Sequence, residues 1–194
     1  MNRQRQLWEG RFGDSYTNRN NVSYSDHLPI LGTMLPNVSS VLEIGCNKGH
    51  NLRALKHLGV ERVIGVDVNK LALEKAKECY CDVVYGDALE LPFDDSSFEL
   101  VLTMGVLIHI SPDNLPVAIS EMYRVSNSLL LVLEYPSDEE VMVHYRGNDL
   151  ALWKRDFRKE FMKVYPSLKL LDHQSWGTED RPFHERLDGW LFEK

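Results

Sequence analysis

The chain has 194 residues, 43% of them apolar and 26% charged, a composition that supports one ordinary globular fold with a sizeable core and argues against disorder. Lysine and arginine number 22 against 29 aspartates and glutamates, and the resulting charge of −7 repels a phosphate backbone, so nucleic acid is excluded as the expected partner. Three cysteines build no disulfide framework, Cys79 and Cys81 lack the further ligands of a zinc site, and no apolar run reaches membrane-spanning length, so a cytoplasmic chain with no metal and no membrane partner is expected.

The opening 25 residues are polar but carry Trp8, Phe12 and Tyr16 at intervals of four, which predicts one aromatic helix face needing something to cover. From Pro36 short β-rich apolar runs alternate with helical stretches of mixed charge, the signature of a parallel sheet with covering helices. Strands are predicted at 40–44, 62–67, 82–85, 100–103 and 129–134, and helices at 51–58, 70–79 and 115–125. After Glu134 the rhythm breaks: PSDEE reads as an acidic turn, HYRGND as a loop, and Ala151 to Tyr165 as an amphipathic helix. Strand-like segments at 168–174 and 190–193, separated by the polar loop GTEDRPFHERLD, are compatible with a closing hairpin.

The strongest local signal is VLEIGCNKGH, a buried strand followed by Gly45, three residues, Gly49 and a helix. Glycines are needed where a backbone turns sharply at a strand end and admits a ligand to van der Waals contact, so this is a nucleotide-type site. About 20 residues on, Asp67 ends the second strand, where a carboxylate accepts from both ribose hydroxyls. Asp87 follows the third strand and can accept from the exocyclic amine of adenine. Asn47 stands in the middle of the loop and no third glycine follows, which disfavours a pyrophosphate, and no Walker-type loop is present. Glu43, placed before the turn, favours a cationic ligand or an amino group.

These residues resemble the class I S-adenosylmethionine-dependent methyltransferases, whose E-x-G-x-G-x-G motif is matched by Glu43, Gly45 and Gly49, with Asp67 as ribose acid, Asp87 as adenine acid and FELVLTMGVLIHI as the fourth-strand signature. Asn47 replaces the middle glycine, a change a left-handed turn tolerates, and RVSNSLLLVLEY replaces the family's K-P-G-G turn. A nearer likeness covers almost the whole chain: WEGRFGDSYTNRN, GVLIHISPDNLPVAISEMYRVS, HYRGNDLALWKRDF and DGWLFEK look like the small methyltransferase family associated with pseudaminic acid biosynthesis. The resemblance implies an α/β, Rossmann-like fold: a seven-stranded, mostly parallel sheet with a C-terminal antiparallel hairpin and helices on both faces, in one domain over 1–194. An N-terminal lid at 1–30 and an inserted substrate-side loop and helix at 136–165 would complete it. It also implies S-adenosylmethionine as cofactor and a sugar or nonulosonic-acid-type acceptor of bacterial surface-glycan biosynthesis.

On that reading Glu43, Gly45, Asn47, Gly49, Asp67, Val68, Asp87, Ala88 and Met104 contact the cofactor, and Tyr16 and Arg19 close over its methionine end with Arg19 facing the carboxylate. Alternatively, the aromatic stripe of Trp8, Phe12 and Tyr16 simply packs on the sheet. His109, just after the fourth strand, is the candidate base for an acceptor hydroxyl; the other reading is a histidine packed under the adenosine or capping a turn. Glu134, Tyr135, Tyr145 and Arg146 are expected to bind the acceptor, with Arg146 pairing with a sugar-acid carboxylate unless it serves a surface ion pair. Three rivals stand beside this: an NAD-dependent oxidoreductase, opposed by the missing glycine; a methyltransferase for another small metabolite; and a non-catalytic cofactor-binding module. A DNA or RNA methyltransferase is disfavoured by the charge and by the absence of an N/D-P-P-Y/F segment.

Overall fold

The computed structural model describes residues 3–149, 151–177 and 186–194; the polar loop expected between the last two strands lies largely outside them. Three helices come first, α1 (Arg3–Glu9), α2 (Arg11–Arg19) and α3 (Tyr24–Met34). The single aromatic helix face expected at the start is therefore interrupted, because Gly10 adopts an extended conformation and caps α2. The rings nevertheless meet across the break, Trp8 lying edge-on to Phe12 at 5.2 Å and to Tyr16 at 5.4 Å. Helix α3 was not foreseen, because Pro29 sits inside it and its apolar side chains make no clean stripe. A capping box holds its start: Ser23 Oγ accepts from Ser25 N, and Asp26 accepts from Ser23 N at 2.9 Å.

The sheet then unfolds in the anticipated alternation: β1 (Ser40–Ile44), α4 (His50–His57), β2 (Arg62–Asp67), α5 (Lys70–Glu78), β3 (Asp82–Tyr85), β4 (Phe98–Met104), α6 (Leu115–Val125) and β5 (Ser126–Glu134). Between β4 and α6 a short 3₁₀ turn spans Leu107–His109. The expected helix over 151–165 is only its second half, α7 (Phe157–Val164), because the Asp156 side chain accepts from Lys159 N and starts the helix there. The residues before it form β7 (Trp153–Lys154), paired antiparallel with β6 (Val141–Met142). The chain closes with β8 (Lys169–Trp176) and β9 (Leu187–Glu193), the antiparallel hairpin that was expected.

Seven strands form one sheet in the order β3-β2-β1-β4-β5-β9-β8, with β9 and β8 antiparallel to the rest. Alternate residues of the parallel strands face two cores. Leu42, Ile44, Val101 and Leu130 pack on α6 and α7, while Val41, Leu100, Leu102 and Leu131 pack on α3, α4 and α5. This is the Rossmann-like fold implied by the sequence. The strand order reverses between β1 and β4, and in such a sheet the crevice outside the carboxyl ends of the strands is where a ligand lies.

Candidate cofactor and acceptor site

A cavity of about 1080 Å³ opens at that reversal, somewhat larger than the ~300–1,000 Å³ that holds one drug-sized ligand, and so admits a nucleoside cofactor with a second reactant beside it. The ends of β1, β2, β3 and β4 form its floor, α1 and α2 one wall, and the segment after β5 another. Among the described residues no group of three His, Cys, Asp or Glu side chains could hold a metal ion, and Cys46, Cys79 and Cys81 are all free.

Gly45 holds φ of 70°, and a Cβ there would come within 2.5 Å of Val106 Cγ2, so only glycine lets the strand end turn beneath the cavity. Asn47 keeps the turn at φ of 45°, with its Oδ1 accepting from Lys48 N at 2.9 Å and its Nδ2 donating to Thr17 Oγ1 at 3.2 Å. The Asp67 carboxylate accepts from Asn47 N at 2.9 Å and Asn69 N at 2.8 Å. A carboxylate has about four lone-pair sites, so even with the Val68 N–H also acting on it, capacity remains for a ribose hydroxyl. Burial pushes this carboxyl above its usual range despite those bonds. Asp87 accepts from Leu89 N at 3.0 Å, and its other oxygen lies 3.6 Å from the Arg5 guanidinium of α1. Val68, Ala88 and Met104 line the cavity beside these acids, as expected.

Two residues assigned to the cofactor lie elsewhere. Gly49 does not line the cavity; it caps α4 at φ of 75°, where a Cβ would meet Cys81 Sγ at 2.8 Å, so its role is close packing of helix on strand. Arg19 is exposed and lies over the rings of Tyr16 and Phe12 at 5.3 and 5.7 Å, outside the lining. Tyr16 does line it, its phenol pushed up to about 12 by burial. Glu43 lines it too, 2% exposed, with burial raising its carboxyl to about 8.

On the acceptor side, Tyr135, Tyr145, Arg146 and His109 come together on the lining, but Glu134 does not. Glu134 is fully buried, and its carboxylate accepts from the backbone N–H groups of Val106, Leu107 and Ile108 at 3.0, 2.9 and 3.3 Å. It fastens the 3₁₀ turn to the end of β5 instead of meeting an acceptor. His144 and Asp149 bond each other at 2.7 Å, both exposed and outside the lining.

His109 donates from Nδ1 to the Ala151 carbonyl at 2.7 Å, and because a carbonyl only accepts, the neutral ring carries its proton there and leaves the Nε2 lone pair unprotonated. Its ring lies 4.4 Å from Trp8 and 5.4 Å from Tyr145, and burial pulls it down to about 4. The Arg146 guanidinium, 5.8 Å from the Tyr145 ring, has no carboxylate partner among the described residues. Sequence reasoning missed the contribution of His27, His50 and Asn51 to the cavity, and that of Gln4 and Arg5 in α1. The Ser23-x-x-Asp26 spacing could have revealed α3, which carries His27.

A family model described as "Methyltransferase domain" covers β1 to the start of β5, residues 41–128. Over these residues the chain is similar to methyltransferase domains. The probable tRNA methyltransferase 9B of Mus musculus is 28% identical over 142 residues, 72% of this chain and 30% of its own. The demethylmenaquinone methyltransferase of Listeria welshimeri is 29% identical over 137 residues, 66% of this chain and 54% of its own. The chain spans between 25% and 54% of the length of the curated relatives it matches. Among solved structures, magnesium protoporphyrin IX methyltransferase from Synechocystis PCC 6803 with bound S-adenosylmethionine has a TM-score of 0.69 at 13% identity, covering 98% of this chain and 94% of that one, a likeness of fold.

The Synechocystis protein is solved with bound S-adenosylmethionine, and the residues present in this cavity fit that compound. Asp67 has lone-pair capacity left for a ribose, Gly45 leaves room for a close approach, and Glu43 Oε2 is a buried oxygen with no hydrogen-bond partner among the described residues. A sulfonium ligand suits this acidic floor as a phosphate does not.

Proposed function

We propose that the protein transfers a methyl group from S-adenosylmethionine to a small, hydroxyl-bearing, anionic acceptor, of the kind represented by a nonulosonic acid or related intermediate of bacterial surface-glycan biosynthesis. The observation that carries this reading is Arg146, a guanidinium with no carboxylate partner among the described residues, on the cavity lining that also bears His109 and Tyr145. An Arg fork matches a carboxylate through two parallel bonds, and aromatic walls suit the apolar face of a sugar ring.

The cofactor supplies a methyl group on a sulfonium that is already an activated leaving group. The chain's own part is to bind, orient and keep water out. Asp67 and Asp87 hold the nucleoside, and α1 and α2 wall the cavity. His109 accepts the acceptor's proton at Nε2, while the Nδ1 bond to Ala151 holds its ring in the required tautomer. Arg146 anchors the anionic group and so directs a hydroxyl towards His109.

The test is formation of S-adenosylhomocysteine across nonulosonic acids, nucleotide-activated sugars, their neutral methyl esters, demethylated quinones and tRNA. Turnover of carboxylated sugars, lost in the esters and in R146A, supports the reading. A second reading, an RNA acceptor, is favoured by the relative named as a tRNA methyltransferase and opposed by the net charge of −7. Turnover of tRNA alone would establish that reading, and cofactor binding with no turnover anywhere would leave a binding module.

A further inference from the structure

The turn that carries His109 is tied to three distant parts of the chain. Glu134 takes the N–H groups of Val106, Leu107 and Ile108. The segment before α7 holds it a second time, Arg155 donating from Nη2 to the Ile110 carbonyl at 3.2 Å and the Ala151 carbonyl taking the ring's Nδ1–H. The third hold comes from α1, where the Gln4 amide donates from Nε2 to the His109 carbonyl at 2.5 Å and accepts at Oε1 from Ser111 N at 2.9 Å. A primary amide offers a donor and an acceptor side by side, so one side chain pairs both backbone groups at once. Trp8 follows Gln4 by one helical turn on the same face of α1, and its ring lies 4.4 Å from that of His109. No residue of α1 is buried, so polar ties carry much of its seating. Arg5, Glu9 and the Trp8 carbonyl tie it to Tyr85 and Asp87 beside β3 and to Asn69 at the start of α5, while Gln4 supplies hydrogen bonds to the His109 turn.

We infer that Gln4 is a positioning residue for methyl transfer, pinning the His109 turn to α1 so that Trp8 stays against the imidazole and the Nε2 lone pair stays fixed on the acceptor side of the cavity. The inference rests on His109 being the base and goes beyond that reading by naming what seats it. The base is complete only while α1 is docked. What docking supplies, besides aim, is dryness. The groups facing the ring are Trp8 and Gln4 from α1, the Tyr145 phenol beyond β6 and the Ala151 carbonyl before β7. Of the charged groups nearby, Arg146 lines the same cavity, Glu134 and Arg155 meet the turn's backbone, and Arg5 and Glu9 of α1 pair with each other at 3.7 Å. Burial, ahead of the Ala151 bond, is what acts on the ring's titration. Loss of Gln4 loosens the cover of Trp8, admits water and returns the ring towards the ordinary imidazole value of about 6.5.

Imidazole NMR on the full chain tests this without any acceptor, the His109 signals being those lost in H109Q. In the unaltered protein the ring should stay neutral and protonated at Nδ1 between pH 8 and pH 6. Q4M keeps the length of the side chain and removes both bonds. It should raise the ring's midpoint by about 1.5 pH units or more, so that about a quarter of the rings or more carry a second proton at pH 6 against about 1% in the unaltered protein. Exchange of the Ser111 amide should quicken by about tenfold or more. Q4A should do the same, an unchanged thermal midpoint certifying the fold, whereas R5A, which loses only exposed ties to β3, should leave the ring as it is. With an acceptor that turns over, Q4M should lower kcat about tenfold and leave KM within about twofold. An unmoved His109 ring or Ser111 amide in both Gln4 variants, or an equal shift in R5A, would overturn the inference. Full methyl transfer by H109Q while Q4M moves the ring would instead refute the reading of His109 as the base.

Discussion

Replacing Glu134 by glutamine should change the sign of its effect on stability between acid and alkaline pH. Burial raises this carboxyl from 4.5 to about 7, outweighing the three backbone N–H groups that favour its ionised form. A carboxyl with a raised folded pKa holds its proton more tightly in the native state, so its contribution is intact below about 4.5 and is lost as pH rises through 7. The two titrations lie about 2.5 pH units apart, which at ~1.4 kcal/mol per unit caps the loss near 3 kcal/mol, with roughly 2–3 kcal/mol of it falling between pH 5 and pH 8. Glutamine cannot ionise. Its single oxygen can still take the Val106 and Leu107 N–H groups, but its amide turns a donor towards Ile108 N–H, at a pH-independent cost of about 1–3 kcal/mol. E134Q should therefore be less stable than the unaltered protein at pH 5 and equal or more stable at pH 8. Urea denaturation followed by tryptophan fluorescence at both pH values reads this, and subtracting the two proteins cancels the other titrating groups. A stability difference that does not move with pH, or a variant of unchanged stability that loses acceptor affinity, would refute the structural role given to Glu134.

Three further outcomes are expected. At Gly13 a Cβ would lie 1.8 Å from the Trp8 carbonyl oxygen, so G13A should force α1 off α2, with earlier proteolytic cleavage before Phe12 and weaker binding of S-adenosylhomocysteine; unchanged cleavage kinetics would contradict the packing. H109Q should slow methyl transfer by about 10²-fold or more while leaving S-adenosylhomocysteine affinity within twofold, and the unaltered enzyme should show no His109 limb near pH 6.5, because burial keeps the ring neutral down to about 4. Because its carboxylate would lose charge-assisted bonds, D67N should weaken S-adenosylhomocysteine by about ten- to a hundredfold in calorimetry, and equal affinity would remove Asp67 from the ribose site.

The alternation of β-rich runs and helices, the glycine turn and the acids at two strand ends could all be read along the chain, because each depends on a periodicity of two or 3.6 or on a spacing of a few residues. The first three strands match their predicted bounds, and β4 and β5 extend the predicted runs. Helix boundaries were less legible where a capping side chain decided them, as Asp156 does for α7, or where a glycine interrupts a good stripe, as Gly10 does between α1 and α2. Helix α3 escaped notice because tertiary packing, through Leu31 and Met34, stabilises a segment whose own pattern is weak.

Glu134 and Arg19 show where linear reading ends. At a strand end the side chain faces either the rim or the interior, and Glu134 faces in because three N–H groups of a turn 26 to 28 residues earlier in the chain meet it there. Arg19 lies over the rings of Phe12 and Tyr16, aromatics that sequence could place on one face but not orient relative to the sheet. The amino acid sequence by itself determined the parallel sheet, its glycine turn and the acids at the ends of β2 and β3, since these follow from local periodicity and short spacings. Which polar atoms finish buried without partners on the cavity floor was decided only when α3 and α4 closed over β1, because pairing depends on contacts between residues distant in the chain.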